Sequence, residues 1–190
     1  MSADRIHFQF DERKATEAAA LLIEREGGRI NDMKLLKLMY LAERRSLAQR
    51  NRPICGDVYV SMSRGPVLSK VYNLIKGETD WIVPRHWSSF IRLSDRYFVE
   101  LVKAPDREAL SDADVRILSE VFAAHGSLGE WQLVRLLHEQ CPEWEDPADT
   151  SSEILPEEIL RAFGKDEEDM AAVRDGAEAA RSAAFLAGEA

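Results

Sequence analysis

NDMKLLKLMYLAERRSLAQR, Asn31 to Arg50, decides the architecture of this chain. Its apolar positions, Leu35, Leu36, Leu38, Met39, Leu41, Ala42 and Leu47, follow helical spacing but spread over more than one stripe. A helix that is apolar on several sides has to be covered on several sides. Asn31 suits the N-cap, and Arg44, Arg45 and Arg50 lie where cations favour the C-terminal end of the helix dipole. The expected fold is therefore mainly α, with about six helices packed around this central buried helix and a small β-hairpin to one side.

The flanking sequence supplies the covering elements. Upstream, Asp11–Glu26 carries Ala15, Ala18, Ala19, Leu22 and Ile23 on one stripe and stops at Gly27-Gly28. Downstream, Val58, Val60 and Met62 alternate with Tyr59 and Ser61, which predicts a short extended segment. Arg64-Gly65-Pro66 makes a sharp junction, with Pro66 in the first turn of a helix through Val67, Val71, Leu74 and Ile75. Residues 78–87 form a loop holding Trp81 and Trp87. SFIRLSDRYFVELV predicts the hairpin, Phe90–Leu93 and Tyr97–Leu101 around a Ser94-Asp95 turn. Ser111 with Asp114 and Ser127 with Glu130 have capping-box form and open helices 112–125 and 129–139, the second ending at Cys141-Pro142. Pro156 starts a last helix ending at Gly164. Residues 1–164 are expected to form one domain, and 165–190 an acidic, Ala-rich helix or flexible tail.

Composition narrows the function classes. The chain has 190 residues, 45% of them apolar, enough for a core of useful size. No apolar run approaches the roughly 20 residues needed to cross a bilayer. The early charges of MSADRIHFQFDERK leave no apolar leader segment, and two cysteines, Cys55 and Cys141, make no disulfide framework, so the expected location is the cytoplasm. Residues 1–110 hold 19 Lys and Arg against 15 Asp and Glu, and residues 111–190 hold 6 against 19. An acidic half of that size argues against nucleic acid as a general partner. Neither a phosphate-binding loop, a nucleophile elbow nor an HExxH zinc helix occurs. The expectation is a protein that is not an enzyme, with no catalytic residues, no metal and no cofactor.

Candidate contact residues fall into three groups. Lys34, Lys37 and Tyr40 recur at three-residue steps and extend through Arg44, Arg45, Arg50 and Arg52 into a basic strip. Such a strip suits an acidic protein surface, although the solvated edge of a buried helix fits the same spacing. Arg64 is a stronger interface candidate than Gly65 or Pro66, because turning the chain does not require a long charged side chain. Tyr72, Trp81 and Trp87 suit either core or rim. His138 and Cys141 are at best half a metal site, and the plainer role for His138 is to seat the helix end at the Pro142-Glu143-Trp144 turn.

Three ordered segments resemble the SocA-like antitoxin, or Panacea-domain, family. They are KLLKLMYLAERRSLAQRNRPI from Lys34, DVYVSMSRGPVLSKVYNLI from Asp57, and LSDADVRILSEVFAAHGSLGEWQLVRLLHEQCPEW from Leu110. The resemblance rests on the KLxKLxY start, on Gly65-Pro66, and on His138, Pro142 and Trp144, and it spans about residues 10–163. Leu137 stands where the family pattern suggests threonine. The resemblance implies an antitoxin that binds and neutralises a protein toxin from an adjacent gene, by masking it or by delivering it to a Clp-type protease. Two alternatives remain: a helix-turn-helix DNA-binding regulator built on 112–125 and 129–139, and a phage-related protein-interaction module.

Overall fold

The computed structural model describes residues 5–78 and 86–187. Helix α1 (Glu12–Arg25) is capped by the Asp11 side chain, which accepts from the Lys14 N–H. Strand β1 (Arg29–Asn31) runs directly into α2 (Asp32–Arg50), and Asn31 caps α2 by accepting from the Lys34 N–H. Then come β2 (Tyr59–Met62), β3 (Gly65–Leu68), α3 (Ser69–Lys76), α4 (Trp87–Phe90), β4 (Ile91–Asp95), β5 (Phe98–Leu101) and α5 (Asp112–His125). The chain continues with α6 (Glu130–Gln140), β6 (Ser152–Ile154), α7 (Pro156–Ala162) and α8 (Glu167–Ala187).

The molecule is mainly helical, and α2 is its centre. It packs against α1, α3, α5, α6, α7, β1 and β3. Leu35, Leu38 and Leu47 are wholly enclosed, and each such leucine contributes about 1.5–3 kcal/mol relative to an exposed one.

The β structure is larger than a single hairpin. The β4–β5 hairpin exists, but β1 adds to it antiparallel, giving the order β1-β5-β4 with Ile30 opposite Val99. A second antiparallel sheet has the order β3-β2-β6. Both extra strands are three residues long, and Ser152-Glu153-Ile154 carries one apolar side chain, so neither shows a period-two signal. Pro66 does not begin a helix. It lies in β3, opposite Ser61, and α3 starts at Ser69. Since β3 is an edge strand, a residue with no N–H is tolerated there. Ser94 and Asp95 belong to β4, which bulges between Leu93 and Asp95, and Arg96-Tyr97 make the turn. The Ser111–Asp114 capping box forms, but α6 opens at Gly129, whose N–H donates to the Gln132 side chain. The helices among the described residues number eight, α4 and α8 being additional to the six expected around the core. The tail segment is helical, and Met170, Val173 and Ala177 of α8 are buried.

Buried carboxylates shape the loops from inside. Glu12 accepts from the His86 and Trp87 N–H groups at 3.0 and 2.9 Å, and Glu17 from Ala109 and Leu110 at 2.9 and 3.1 Å. Glu43 accepts from Ile54 N–H, Cys55 N–H and the Tyr59 hydroxyl. Asp57 takes the Lys70 and Val71 N–H groups and so satisfies the start of α3. Burial pushes the Glu43 carboxyl up and the Asp57 carboxyl up to about 7.

Candidate functional site

The residues that stand out in the sequence gather where α2, β3, α6 and the 141–144 turn meet. Lys37 is fully enclosed on α2, and its ammonium donates to the Pro66 carbonyl at 2.9 Å. Burial lowers its pKa to about 7, so the charged and neutral amines are comparably populated near neutrality. Gly65 adopts φ +90° directly beside it. A Cβ there would sit 3.3 Å from Lys37 Nζ and 3.4 Å from His138 Nε2, in a conformation that L side chains avoid. Gly65 is thus required twice, for its φ and for the approach of two side chains.

His138 stacks on Trp144 with ring centroids 3.8 Å apart and planes 7° from parallel. The Trp144 indole N–H donates to the Met62 carbonyl at 3.0 Å, so the stack is tied to the β2–β3 turn. Burial, and then the neighbouring Lys37 charge, lowers the His138 pKa. Among the described residues its Nε2 has no hydrogen-bond partner.

One turn further along α2, the Tyr40 hydroxyl donates to Glu143 at 2.9 Å, and Arg44 holds both oxygens of that carboxylate, at 2.6 and 3.2 Å. Burial and the Glu143 charge hold the Tyr40 hydroxyl well above its usual range. The Arg44 guanidinium also lies 4.3 Å from the centre of the Phe163 ring. Cys141 sits between these groups, and burial beside Glu143 pushes its thiol up to about 12. A thiol held that high is not a nucleophile at neutral pH.

Most of the basic strip expected on α2 is therefore internal, although Arg52 beyond the helix is exposed. Lys34 is 7% exposed and is held by Glu26 at 2.5 Å and the Gly126 carbonyl at 2.8 Å. Lys37 and Tyr40 are enclosed, Arg44 belongs to Glu143, and Arg50 is paired with Asp114 at 2.5 Å. Arg45 stays half-exposed and pairs with Glu120 at 2.6 Å. Three-residue spacing places side chains on one helix face, but it does not say whether another helix covers that face. Here α5, α6 and α7 do. Trp87 is a core residue and Tyr72 is half-buried against α3 neighbours, while Trp81 lies outside the described residues. Pro142 is an exposed turn residue.

What remains outside is the Arg64 corner. Arg64, on the β2–β3 turn, holds its guanidinium 5.3 Å from the ring of Trp131, which is 55% exposed on the first turn of α6. Arg135 is exposed one helical turn on. Trp131 shares three-residue spacing with Val134 and Leu137, but Leu133, Val134 and Leu137 alone form a complete buried stripe, leaving Trp131 and Arg135 on its flank.

Among the described residues no group of three or more His, Cys, Asp or Glu is arranged to hold a metal ion, and no helix is long and apolar enough to cross a membrane. The cluster buries Lys37, Tyr40 and Cys141 and leaves His138 and Trp144 partly exposed. Its chemistry is that of a brace, which fixes the β2–β3 turn and the end of α6 relative to α2. The family model described as antitoxin SocA-like, Panacea domain matches residues 35–145. The chain belongs to this family. The match begins in α2 and ends one residue beyond Trp144, so it contains Lys37, Gly65, His138 and Trp144 of the brace. No curated protein and no solved structure matches the chain.

Proposed function

We propose that this chain is a non-enzymatic, cytoplasmic antitoxin that binds a protein toxin encoded beside it and neutralises it by masking. Membership of an antitoxin family is the observation that carries the proposal. The surface we assign to the toxin is the corner formed by Arg64, Trp131 and Arg135. An exposed tryptophan beside arginines is the composition of an interface hot spot, and the brace beneath it holds the turn and the helix in a set geometry. Pre-arranged contact groups lose less entropy on binding. The outward face of α6 sets Arg135 one turn from the exposed Glu139, a poor match to a phosphate backbone, which weighs against a DNA-reading helix.

The test is co-expression with the product of the adjacent reading frame, scoring growth and co-purification. Restored growth with a stable complex is the expected result, and Trp131→Ala should weaken that complex about tenfold or more while leaving the melting temperature unchanged. Rescue that vanishes in a protease-deficient host would replace masking by delivery to a Clp-type protease. No toxicity and no complex would end the antitoxin reading.

A further inference from the structure

A cleft opens among residues that the brace does not use. Its volume is about 1150 Å³, and it runs between the N-terminal segment 8–14, the loop 50–56 and one face of α8. The floor is the crossing of Phe8-Gln9 over Gly56. That glycine has φ +69°, and a Cβ on it would meet the Gln9 carbonyl oxygen. The far wall is built from Ala172, Gly176, Ala180 and Ala184, spaced four apart on α8. These small side chains leave the space in front of α8 open. A volume above the ~300–1,000 Å³ of small-molecule pockets suits a length of polymer better than a metabolite.

The cleft's charge is opposite to that of the chain. It is lined by Arg13, Lys14, Arg50, Arg52 and Arg181. Its two carboxylates are already engaged: Asp11 caps α1, and Glu12 is buried against the His86 and Trp87 N–H groups. Arg13 and Arg50 have internal partners, Glu17 with Glu108 and Asp114. Lys14, Arg52 and Arg181 make no ion pair among the described residues. In a chain with 34 carboxylates against 25 cations, three cations without a carboxylate around one cleft form a site for negative charge supplied from outside.

We infer that this cleft is a docking groove for an extended acidic polypeptide segment of a partner protein, its carboxylates held by Lys14, Arg52 and Arg181 and its apolar side chains by Phe8, Phe10 and the alanines of α8. The groove is separate from the Arg64–Trp131 corner and does not depend on the identity of the toxin.

The test uses the full chain and three fluorescent probes: a ten-residue peptide of alternating Glu and Leu, its Lys-for-Glu counterpart, and a ten-nucleotide single strand. Saturable binding of the acidic peptide is expected, with none of the basic one. Affinity should fall at least tenfold in the triple variant Lys14→Glu, Arg52→Glu, Arg181→Glu. Because these side chains are on the surface, that variant should melt with the wild type. If it does not fold, Ala184→Trp, which fills the groove from α8, takes its place and should block the peptide in the same way. Absence of saturable binding, or equal binding by the filled variant, would overturn the proposal. Tighter binding of the oligonucleotide than of the acidic peptide would assign the groove to nucleic acid instead.

Discussion

Helices α2 and α8 have similar lengths, 19 and 21 residues, yet they stand on different physics. In α2 the leucines face several neighbours at once, and even a lysine is enclosed. In α8 the buried set is Met170, Val173 and Ala177, while Phe185 and Leu186 near its end are exposed. The tertiary structure forms α2. The helicity of α8 leans instead on alanine, the residue that loses least on entering a helix. The family match covers all but the first turn of α2 and none of α8, so the shared element is the one that organises the core and the unshared one is laid against it.

The largest effect that can break this contrast is a cavity in α2. Leu38→Ala or Leu47→Ala should each cost about 2–5 kcal/mol in denaturant unfolding. Glu43→Ala comes next. It removes the acceptor for two backbone N–H groups and the Tyr59 hydroxyl, and should cost about 3 kcal/mol. Glu43→Gln should recover part of that loss.

The pH dependence sharpens the comparison further. Lys37 titrates near 7 when folded against about 10.4 unfolded. The unfolded chain therefore binds more protons between these values, and stability rises with pH across that window. Asp57, pushed up to about 7, acts in the opposite sense: its contribution is full below about 4 and is lost as pH rises towards 7. Melting curves at pH 7.5 and 9.5 should show a rise in wild type that Lys37→Met lacks. Curves at pH 4.5 and 7 should show a decline that Asp57→Asn reduces. A Lys37→Met protein with the wild-type slope would mean that the enclosed amine is not what titrates. In α8 the expected effects are smallest. Met170→Ala should cost about 2 kcal/mol, at the low end for a core methionine because α8 lies at the edge of the core. Phe185→Ser should stay within about 0.5 kcal/mol. A larger loss at Phe185 than at Leu38 would reverse the ranking of the two helices.

The helical framework was legible because its signals are local. The Asn31 and Ser111 caps and the Gly27-Gly28 stop each depend on residues within a few positions, and the multi-sided apolar pattern of α2 announces its own burial. The second sheet was not legible, because β6 pairs with β2 across some 90 residues of chain and carries one apolar side chain. The brace was half legible. The resemblance picked out Gly65, Pro66, His138 and Trp144, but spacing alone left Lys34, Lys37 and Tyr40 either facing a partner or on a solvated edge, and the structure encloses them. Whether a lysine on a helix is enclosed depends on what crosses it, and α6 arrives from 90 residues away. Trp131 is exposed because it lies on the flank of the Leu133, Val134 and Leu137 stripe, which its apolar chemistry alone does not reveal.

The inward carboxylates have a consequence for how the loops move. Glu12, Glu17, Glu43 and Asp57 grip the amides of His86, Trp87, Ala109, Leu110, Ile54, Cys55, Lys70 and Val71. All but Trp87, Lys70 and Val71 lie outside regular secondary structure. In deuterated solvent these amides should exchange as slowly as those of the helices that hold the carboxylates, because releasing them requires displacing a side chain rooted in α1, in α2 or beside α3. Loop side chains such as Arg52 and Pro53 are then free to change without altering the path of the backbone, so the outer surface can be rewritten while the loops keep their shape.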